Sequence, residues 1–190
     1  DAMGARPPFA DYLGLDPETD PPMPLVLQTS GGTTGLPRPM LYSPRDRELF
    51  SLFGSRGSYV RGVRPYDLVQ VTMAMGLPNG GMQAREGLWK YSGAIGIMTG
   101  SGAQTPTRRQ LEILKGWSVH HLNGWPAYLR HMAQVAKDEF GWDVRDLKLK
   151  SLTTHLGVDS RDDLEEMWGT KVWDGYGSNE CGAVAVYCEH

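Results

Sequence analysis

Seven consecutive residues, Thr29-Ser30-Gly31-Gly32-Thr33-Thr34-Gly35, set three glycines among four hydroxyl side chains. Bare backbone N–H groups and short donors at that density suit the wrapping of an anion, phosphate above all. The run is not a Walker A loop, which needs Gly-Lys-Ser/Thr opening a helix, because Leu36-Pro37 leads here into another extended stretch. An ordinary hairpin turn uses the same residue types, so the run alone leaves both readings open. A second cluster, Asp174-Gly175-Tyr176-Gly177-Ser178-Asn179-Glu180, adds an aromatic ring between glycines, able to lie flat against a base. It also carries Glu180, a hard oxygen ligand of the kind Mg2+ takes beside phosphates. Singly, Tyr176 reads as a half-buried aromatic at a sheet edge and Glu180 as an exposed charge. Together the two clusters point to nucleotide chemistry.

Positioning them requires a frame. Residues 1–24, rich in Pro, Gly and Asp, read as an irregular approach segment, and ordered structure is expected from Leu25 onward. Short strands over 25–29 and 39–43 flank the glycine loop. Helical periodicity follows over 46–53 and 82–91, interleaved with strands over 68–73 and 94–98. Thr105 and Pro106 open a helix with Thr107 and Gln110 at capping-box spacing and Leu111, Leu114 and Trp117 on one face. After a strand over 119–122, a helix from Pro126 repeats Tyr128, Leu129, Met132, Val135, Ala136 and Phe140 and stops at Gly141. A strand over 149–154 precedes a helix capped by Asp159 or Ser160, carrying Leu164, Met167 and Trp168 and stopped by Gly169. A strand over 171–173 leads to the second cluster, and residues 183–190 alternate as a strand does. Strands alternating with helices predict an α/β fold with a mostly parallel sheet flanked by helices. The second cluster would then stand at the carboxyl end of the strands, where such sheets hold ligands.

Composition narrows the classes. A chain of 190 residues is about one domain's worth, and 40% hydrophobic with 22% charged residues is a globular balance. A net charge of -3 argues against a general nucleic-acid binder, and no apolar run is long enough for a membrane span. Glycine alone is out of line, at 24 residues, nearly double its usual share of roughly 7%. Two cysteines, Cys181 and Cys188, make no disulfide framework, so a cytoplasmic location is expected. The opening Asp1 and the absence of a closing element after the last alternating run suggest a longer polypeptide.

The two clusters resemble those of the adenylate-forming superfamily of acyl-CoA synthetases, luciferases and peptide-synthetase adenylation domains, and within it the phenylacetate-CoA ligase branch. The stretch from Thr29 to Arg38 is similar to the superfamily's phosphate loop ending in Pro-Lys, and Tyr176-Gly177-Ser178-Asn179-Glu180 to its Tyr-Gly-x-Ser/Thr-Glu motif. Pro78-Asn79-Gly80-Gly81, the turn from Thr99 to Pro106, and the helix start at Asn123-Gly124-Trp125-Pro126 resemble further features of the branch. Residues 25–190 would then be part of the large nucleotide-binding N-terminal domain, with the mobile C-terminal domain and its lysine outside the sequence, leaving the piece inactive alone. The resemblance implies activation of a small carboxylic acid with ATP and Mg2+ to an acyl-adenylate, then transfer to coenzyme A. Another adenylating enzyme, with a carrier protein or other acceptor, and a non-catalytic nucleotide-binding module are the alternatives.

Residue by residue, the resemblance implies nucleotide contacts from Thr29, Ser30, Gly31, Gly32, Thr33, Thr34 and Gly35, from Gly157, and from Tyr176, Gly177, Ser178 and Asn179. Thr34, Arg38 and Glu180 take the catalytic positions, Glu180 as the metal ligand. Arg38 replaces the usual Lys, keeping the charge and changing the geometry, and Asn179 stands where the family has Ser or Thr. The remaining candidates are assigned structural roles: His120, His121 and His131 as satisfied histidines, and Cys181 and Cys188 as buried thiols. A zinc site from Cys181, Cys188 and His190 is left open, since zinc needs a fourth ligand. Trp125 and Tyr128 read either as core or as the border of an acyl pocket. No nucleic acid or membrane partner is expected, and a homodimer is one assembly open to the protein.

Overall fold

The structure, a computed structural model, describes residues 19–30 and 37–187. Two short strands, β1 (Val26–Thr29) and β2 (Pro39–Tyr42), pair antiparallel, with Thr29 opposite Pro39 at the end that carries the glycine loop. The glycine loop between them, residues 31–36, lies outside the described residues, as do 1–18 and 188–190. The main sheet has six strands: β3 (Leu68–Val71), β4 (Ile95–Met98), β5 (His121–Asn123), β6 (Ser151–Thr154), β7 (Lys171–Ser178) and β8 (Gly182–Val186). Their order is β4-β3-β5-β6-β7-β8, parallel throughout except for the β7–β8 hairpin. This is the expected α/β class with a mostly parallel sheet.

Helices cover both faces. On one side, α3 (Thr107–Gly116), α4 (Pro126–Phe140) and α5 (Arg161–Trp168) bury Leu111, Leu114, Leu129, Met132, Leu164 and Trp168 against Leu122, Leu152 and Val172 of the strands. On the other, α1 (Pro44–Val60) and α2 (Asn79–Tyr91) lie beside a smaller cluster of Val63, Val69, Val71, Met73 and Leu88. Alternation along β5 explains the division, since Leu122 points to the large core while its neighbours His121 and Asn123 point to the other face. Among the described residues no helix is long and apolar enough to cross a membrane.

Several boundaries differ from expectation, for local or tertiary reasons. Helix α1 starts at Pro44 behind a Ser43–Asp46 capping box and runs on to Val60 rather than stopping near residue 53. The glycines that weaken its helical signal are contact points: a Cβ on Gly54 would stand 3.2 Å from the Gly87 Cα of α2, and Ser55 Oγ donates to the Gly87 carbonyl at 2.5 Å. Helix α2 begins three residues earlier than predicted, at Asn79, and Gly81 is required there because a Cβ would collide with the Ala74 carbonyl. The capping box expected at α3 is absent. Pro106 precedes the helix without a side-chain cap, the Thr107 hydroxyl meets that of Tyr128 at 3.0 Å, and buried Gln110 donates to the Gly100 and Thr105 carbonyls. Trp117, placed on that helix's apolar face, is instead its exposed C-cap. The stops at Gly141 and Gly169 are as expected, both left-handed with φ of 66° and 61°.

Candidate nucleotide site

Strand β7 does not end at residue 173 but continues through Gly175, Tyr176 and Gly177 to Ser178, because β8 turns back and pairs with it. The second cluster is therefore a strand and hairpin turn rather than a loop after a strand. Gly177 is needed for the pairing, since a Cβ there would lie 2.6 Å from the Gly182 carbonyl oxygen. The Tyr176 ring is exposed, at 70% of its free surface, not half-buried. At the turn, the Cys181 N–H donates to Ser178 Oγ at 3.2 Å. The Glu180 carboxyl is held below its ordinary value by its own backbone N–H, then by the Ser178 hydroxyl, with Arg38 adding attraction. An ionised hard oxygen thus stands at the tip of the hairpin.

The stem of the glycine loop reaches the same place. The Thr29 N–H donates to the Leu77 carbonyl at 2.8 Å, which fixes β1 against the start of α2. Asn179 leans toward the Thr29 carbonyl, 3.5 Å from its side-chain amide, and the Tyr42 hydroxyl donates to the Asn179 carbonyl at 2.7 Å. Tyr42 in turn accepts from Asn79, whose Oδ1 takes Arg47 Nη1 at 2.6 Å, while Arg47 also bonds Gln28 at 2.8 Å and Glu86 at 2.9 Å. This buried chain of side chains welds β1–β2, α1 and α2 to the hairpin turn. Burial raises the Tyr42 hydroxyl above its ordinary value, so it remains a neutral donor.

A cavity of about 820 Å3 opens beside these elements, over the face of the sheet turned toward α1 and α2. Thr29, Gly157, Tyr176, Gly177, Ser178 and Asn179 all line it. Gly157 follows β6 with φ of +60°, a conformation glycine reaches without strain. Glu180 and Arg38 are exposed and stand outside the lining, as does Ser30, whose N–H donates to the Arg38 carbonyl at 3.1 Å. Gly31, Gly32, Thr33, Thr34 and Gly35 fall outside the described residues. The two candidates for an acyl border separate: Trp125 lines the cavity with its ring 5.3 Å from that of His155, whereas half-buried Tyr128 packs toward α3.

Sequence reasoning missed Tyr42, Arg47, Arg61 and Gln83, and noted Asn79 only within the turn over 78–81, since contacts across 30 to 140 residues leave no local signal. It also passed over Asp174, whose carboxylate accepts the Leu156 and Gly175 N–H groups at 2.9 and 2.8 Å and so shapes the turn bearing Gly157. Cys181 is exposed, against the expectation of a buried thiol, because it sits on the hairpin turn. Among the described residues no group of three or more His, Cys, Asp or Glu could hold a metal by itself, and Cys188 and His190 lie outside them.

A serine, a histidine and an aspartate do meet, at the other end of the strands, where His121 also lines the cavity. His121 Nε2 lies 3.1 Å from Asp67 and its Nδ1 2.7 Å from Ser151 Oγ, all three buried at the amino ends of the strands, opposite the nucleotide motifs. Burial pulls the imidazole below its ordinary pKa, with Asp67 opposing, so Nε2–H donates to Asp67 and Nδ1 accepts from Ser151. Burial works against the Asp67 carboxylate, yet Lys150, the Arg64 N–H and His121 hold it down to about 2. The set clips β3, β5 and β6 together, which agrees with a structural role for His121. His120 likewise accepts the Leu68 N–H at 2.9 Å.

Comparison with known proteins follows the same outline. The sequence profile of the AMP-binding enzymes matches residues 5–190. The phenylacetate-coenzyme A ligase of Pseudomonas putida is 26% identical over 171 residues, and that of Escherichia coli (strain K12) 24% over 168. Each match covers 86% of this chain and 37% of the relative, so the chain spans little more than a third of their length. Among solved structures, an open conformation of 2-hydroxyisobutyryl-CoA ligase in complex with 2-HIB-AMP and CoA has 26% identity and a TM-score of 0.81, covering 95% of this chain and 41% of that one. The anthranilate CoA ligase AuaEII with anthranoyl-AMP, at 18% identity and a TM-score of 0.65, covers 86% and 31% and shares the fold.

Proposed function

This chain belongs to the AMP-binding enzymes, and from that premise we propose that it serves an ATP-dependent acid-CoA ligase. In the proposed reaction the carboxylate of a small acid attacks the α-phosphorus of ATP and expels pyrophosphate. The CoA thiol then attacks the acyl carbonyl and releases AMP. The attacking carboxylate needs no general base, so the protein's work is alignment and compensation of charge. What carries the proposal is the meeting of two motifs some 150 residues apart: Thr29, from the stem of the glycine loop, and Tyr176 to Asn179 border one cavity beside the sheet.

The residues present suit such an occupant. The exposed Tyr176 ring offers a face for the adenine, and bare backbone at Gly177 and Gly157 admits close approach. Thr29 and Asn179 present polar side chains between base and loop, and the residues from Ser30 to Gly35 are proposed to wrap the phosphates. Glu180, ionised at the turn, is the residue that would hold Mg2+, an ion that supplies positive charge to the departing pyrophosphate. Arg38, within reach of Glu180, adds charge at the rim.

Residues 25–190 are proposed to form part of the large domain, completed by a mobile domain bearing a lysine. The 37% coverage of the phenylacetate-coenzyme A ligases supports that division. A cytoplasmic location, consistent with two cysteines and no disulfide framework, belongs to the same proposal. The test is to incubate the intact gene product with ATP, Mg2+, CoA and a panel of aryl, hydroxy and short aliphatic acids, following acyl-CoA and AMP by mass spectrometry. Acyl-CoA formed with equimolar AMP is expected. Acid-independent ATP cleavage, or ADP as product, would overturn the proposal.

A further inference from the structure

The part of the cavity enclosed by α1, α2 and the β7–β8 hairpin has donors without acceptors. Seven buried side-chain polar atoms among the described residues lack a hydrogen-bond partner, and the two that border the cavity, Arg61 Nε and Gln83 Nε2, are both N–H donors. Arg61 follows the last residue of α1, and its Nη2 lies 3.1 Å from the point where a Cβ on Gly175 would stand. The guanidinium therefore rests against bare backbone one residue before Tyr176. Gln83 Nε2 lies nearer the turn, 2.6 Å from the corresponding point on Gly182, which pairs with Ser178.

No acceptor in the wall answers Arg61. Asp174 supports its charge from a distance, but the Asp174 Oδ1 is committed to the Leu156 and Gly175 N–H groups. Burial pulls the guanidinium down to about 10, against the pull of Asp174, so it stays charged at neutral pH. Val63, Val69, Met73 and Leu88 give the wall an apolar stretch, and the polar lining side chains Ser58, His121, Asn123 and His155 make no hydrogen bond to Arg61. A hydrocarbon occupant would leave a buried cationic donor unanswered, and a site built around such a donor rejects ligands lacking its acceptor.

Resting on the acid-activating reading above, we infer that the acid carries an oxygen acceptor at the end remote from its reacting carboxyl, and that Arg61 receives it. That acceptor is a hydroxyl, a carbonyl or a second carboxylate. Gly175 and Ser178 are three residues apart on strand β7, on the order of 10 Å, and with the reacting carboxyl proposed to meet the α-phosphate near Asn179, a ring or several carbons must separate the two ends. The Val63, Val69 and Leu88 side chains would hold that hydrocarbon body. Arg61 is thus a specificity-determining residue, and Tyr176 to Asn179 stay with the nucleotide.

The experiment compares phenylacetate, 4-hydroxyphenylacetate and 4-carboxyphenylacetate as substrates of the intact gene product in ATP–pyrophosphate exchange. One of the two para-substituted acids is expected to exceed phenylacetate by at least about tenfold in kcat/KM, a difference of about 1.4 kcal/mol. Arg61→Met should bring that ratio close to one, and Arg61→Lys, which keeps the charge but loses the fork, should fall between. If Arg61→Met fails to fold, the Arg61→Lys ratio decides alone. A preference for phenylacetate, or a ratio unmoved by either variant, would overturn the inference and leave Arg61 as the counter-charge of Asp174. Absence of exchange with every acid would instead sink the acid-activating reading. Equilibrium dialysis of 4-carboxyphenylacetate and 4-hydroxyphenylacetate then decides the Arg61 assignment: tenfold weaker binding to Arg61→Met supports it, and equal binding overturns it.

Discussion

The Tyr42 hydroxyl donates to the carbonyl oxygen of Asn179 at 2.7 Å, joining residues 137 positions apart. Through this bond the stem of the glycine loop and the β7–β8 turn become one unit. Arg47 and Asn79 hold Tyr42 in place from behind. The glycine-loop stem and the hairpin turn thus take their mutual register from a phenol outside the cavity lining.

Tyr42→Phe should separate the two motifs without emptying the core. The bond is part-buried, and Asn79 loses its acceptor as well, so a loss of about 1–2 kcal/mol in stability is expected. Adenylation should fall by about tenfold or more, because misplacement of bound reactants costs rate. Melting curves and exchange rates measured together check this; full exchange with lowered stability would show that the bond serves the fold alone.

Gly177→Ala places a methyl group 2.6 Å from the Gly182 carbonyl oxygen, closer than a real Cβ contact. The β7–β8 hairpin must widen, moving Tyr176 and Asn179 together. Nucleotide affinity should drop by at least about tenfold, equivalent to about 1.4 kcal/mol, as read by titration with a fluorescent ATP analogue. Unchanged affinity would place the nucleotide away from this hairpin.

Much of this arrangement was legible in the sequence, and the reasons for the rest are specific. The β/α alternation, the Gly141 and Gly169 stops and the two motifs are written in local composition. The length of α1 was not, because Gly54 and Gly57 look like helix breakers until Gly87 of α2 is seen against Gly54. The end of β7 was hidden for a similar reason: Asp174-Gly175-Tyr176-Gly177 reads as a loop, and only pairing with β8 makes it strand. Thr107 and Gln110 have capping-box spacing, yet Tyr128 and the Gly100 carbonyl compete for their side chains and win. Arg61 and Gln83 carry no motif at all, and only the cavity gives them meaning.

Glu180→Gln should lower Mg2+-dependent adenylation on the order of a hundredfold while leaving the melting temperature within a degree or two, since the carboxylate is fully exposed. The rate should recover only partly at raised Mg2+. Near-normal exchange at ordinary Mg2+ would remove Glu180 from the metal site.

Acid should weaken the fold through the Asp67–His121–Ser151 clip. His121 binds its proton less readily in the folded protein, so its contribution is present above the unfolded value of about 6.5 and declines as pH falls below it. Asp67, held at about 2, contributes above its unfolded value of about 3.9 and loses that contribution as pH falls toward 2. Thermal melts from pH 8 to 3 should show a falling midpoint, with the part between 7 and 5 reduced in His121→Gln. An identical pH profile in that variant would mean His121 does not couple to folding.

Carboxylate-dependent exchange of labelled pyrophosphate into ATP, catalysed by the intact gene product, tests the central claim most directly. It reads formation of the acyl-adenylate alone and is blind to the final acceptor. Exchange should appear only when an acid is added, require Mg2+, and fall at least about tenfold in Tyr42→Phe, which removes the hydroxyl that joins the two motifs from outside the cavity lining. Nucleotide binding without exchange for any acid, at any Mg2+ concentration, would contradict the account and leave a nucleotide-binding module without chemistry.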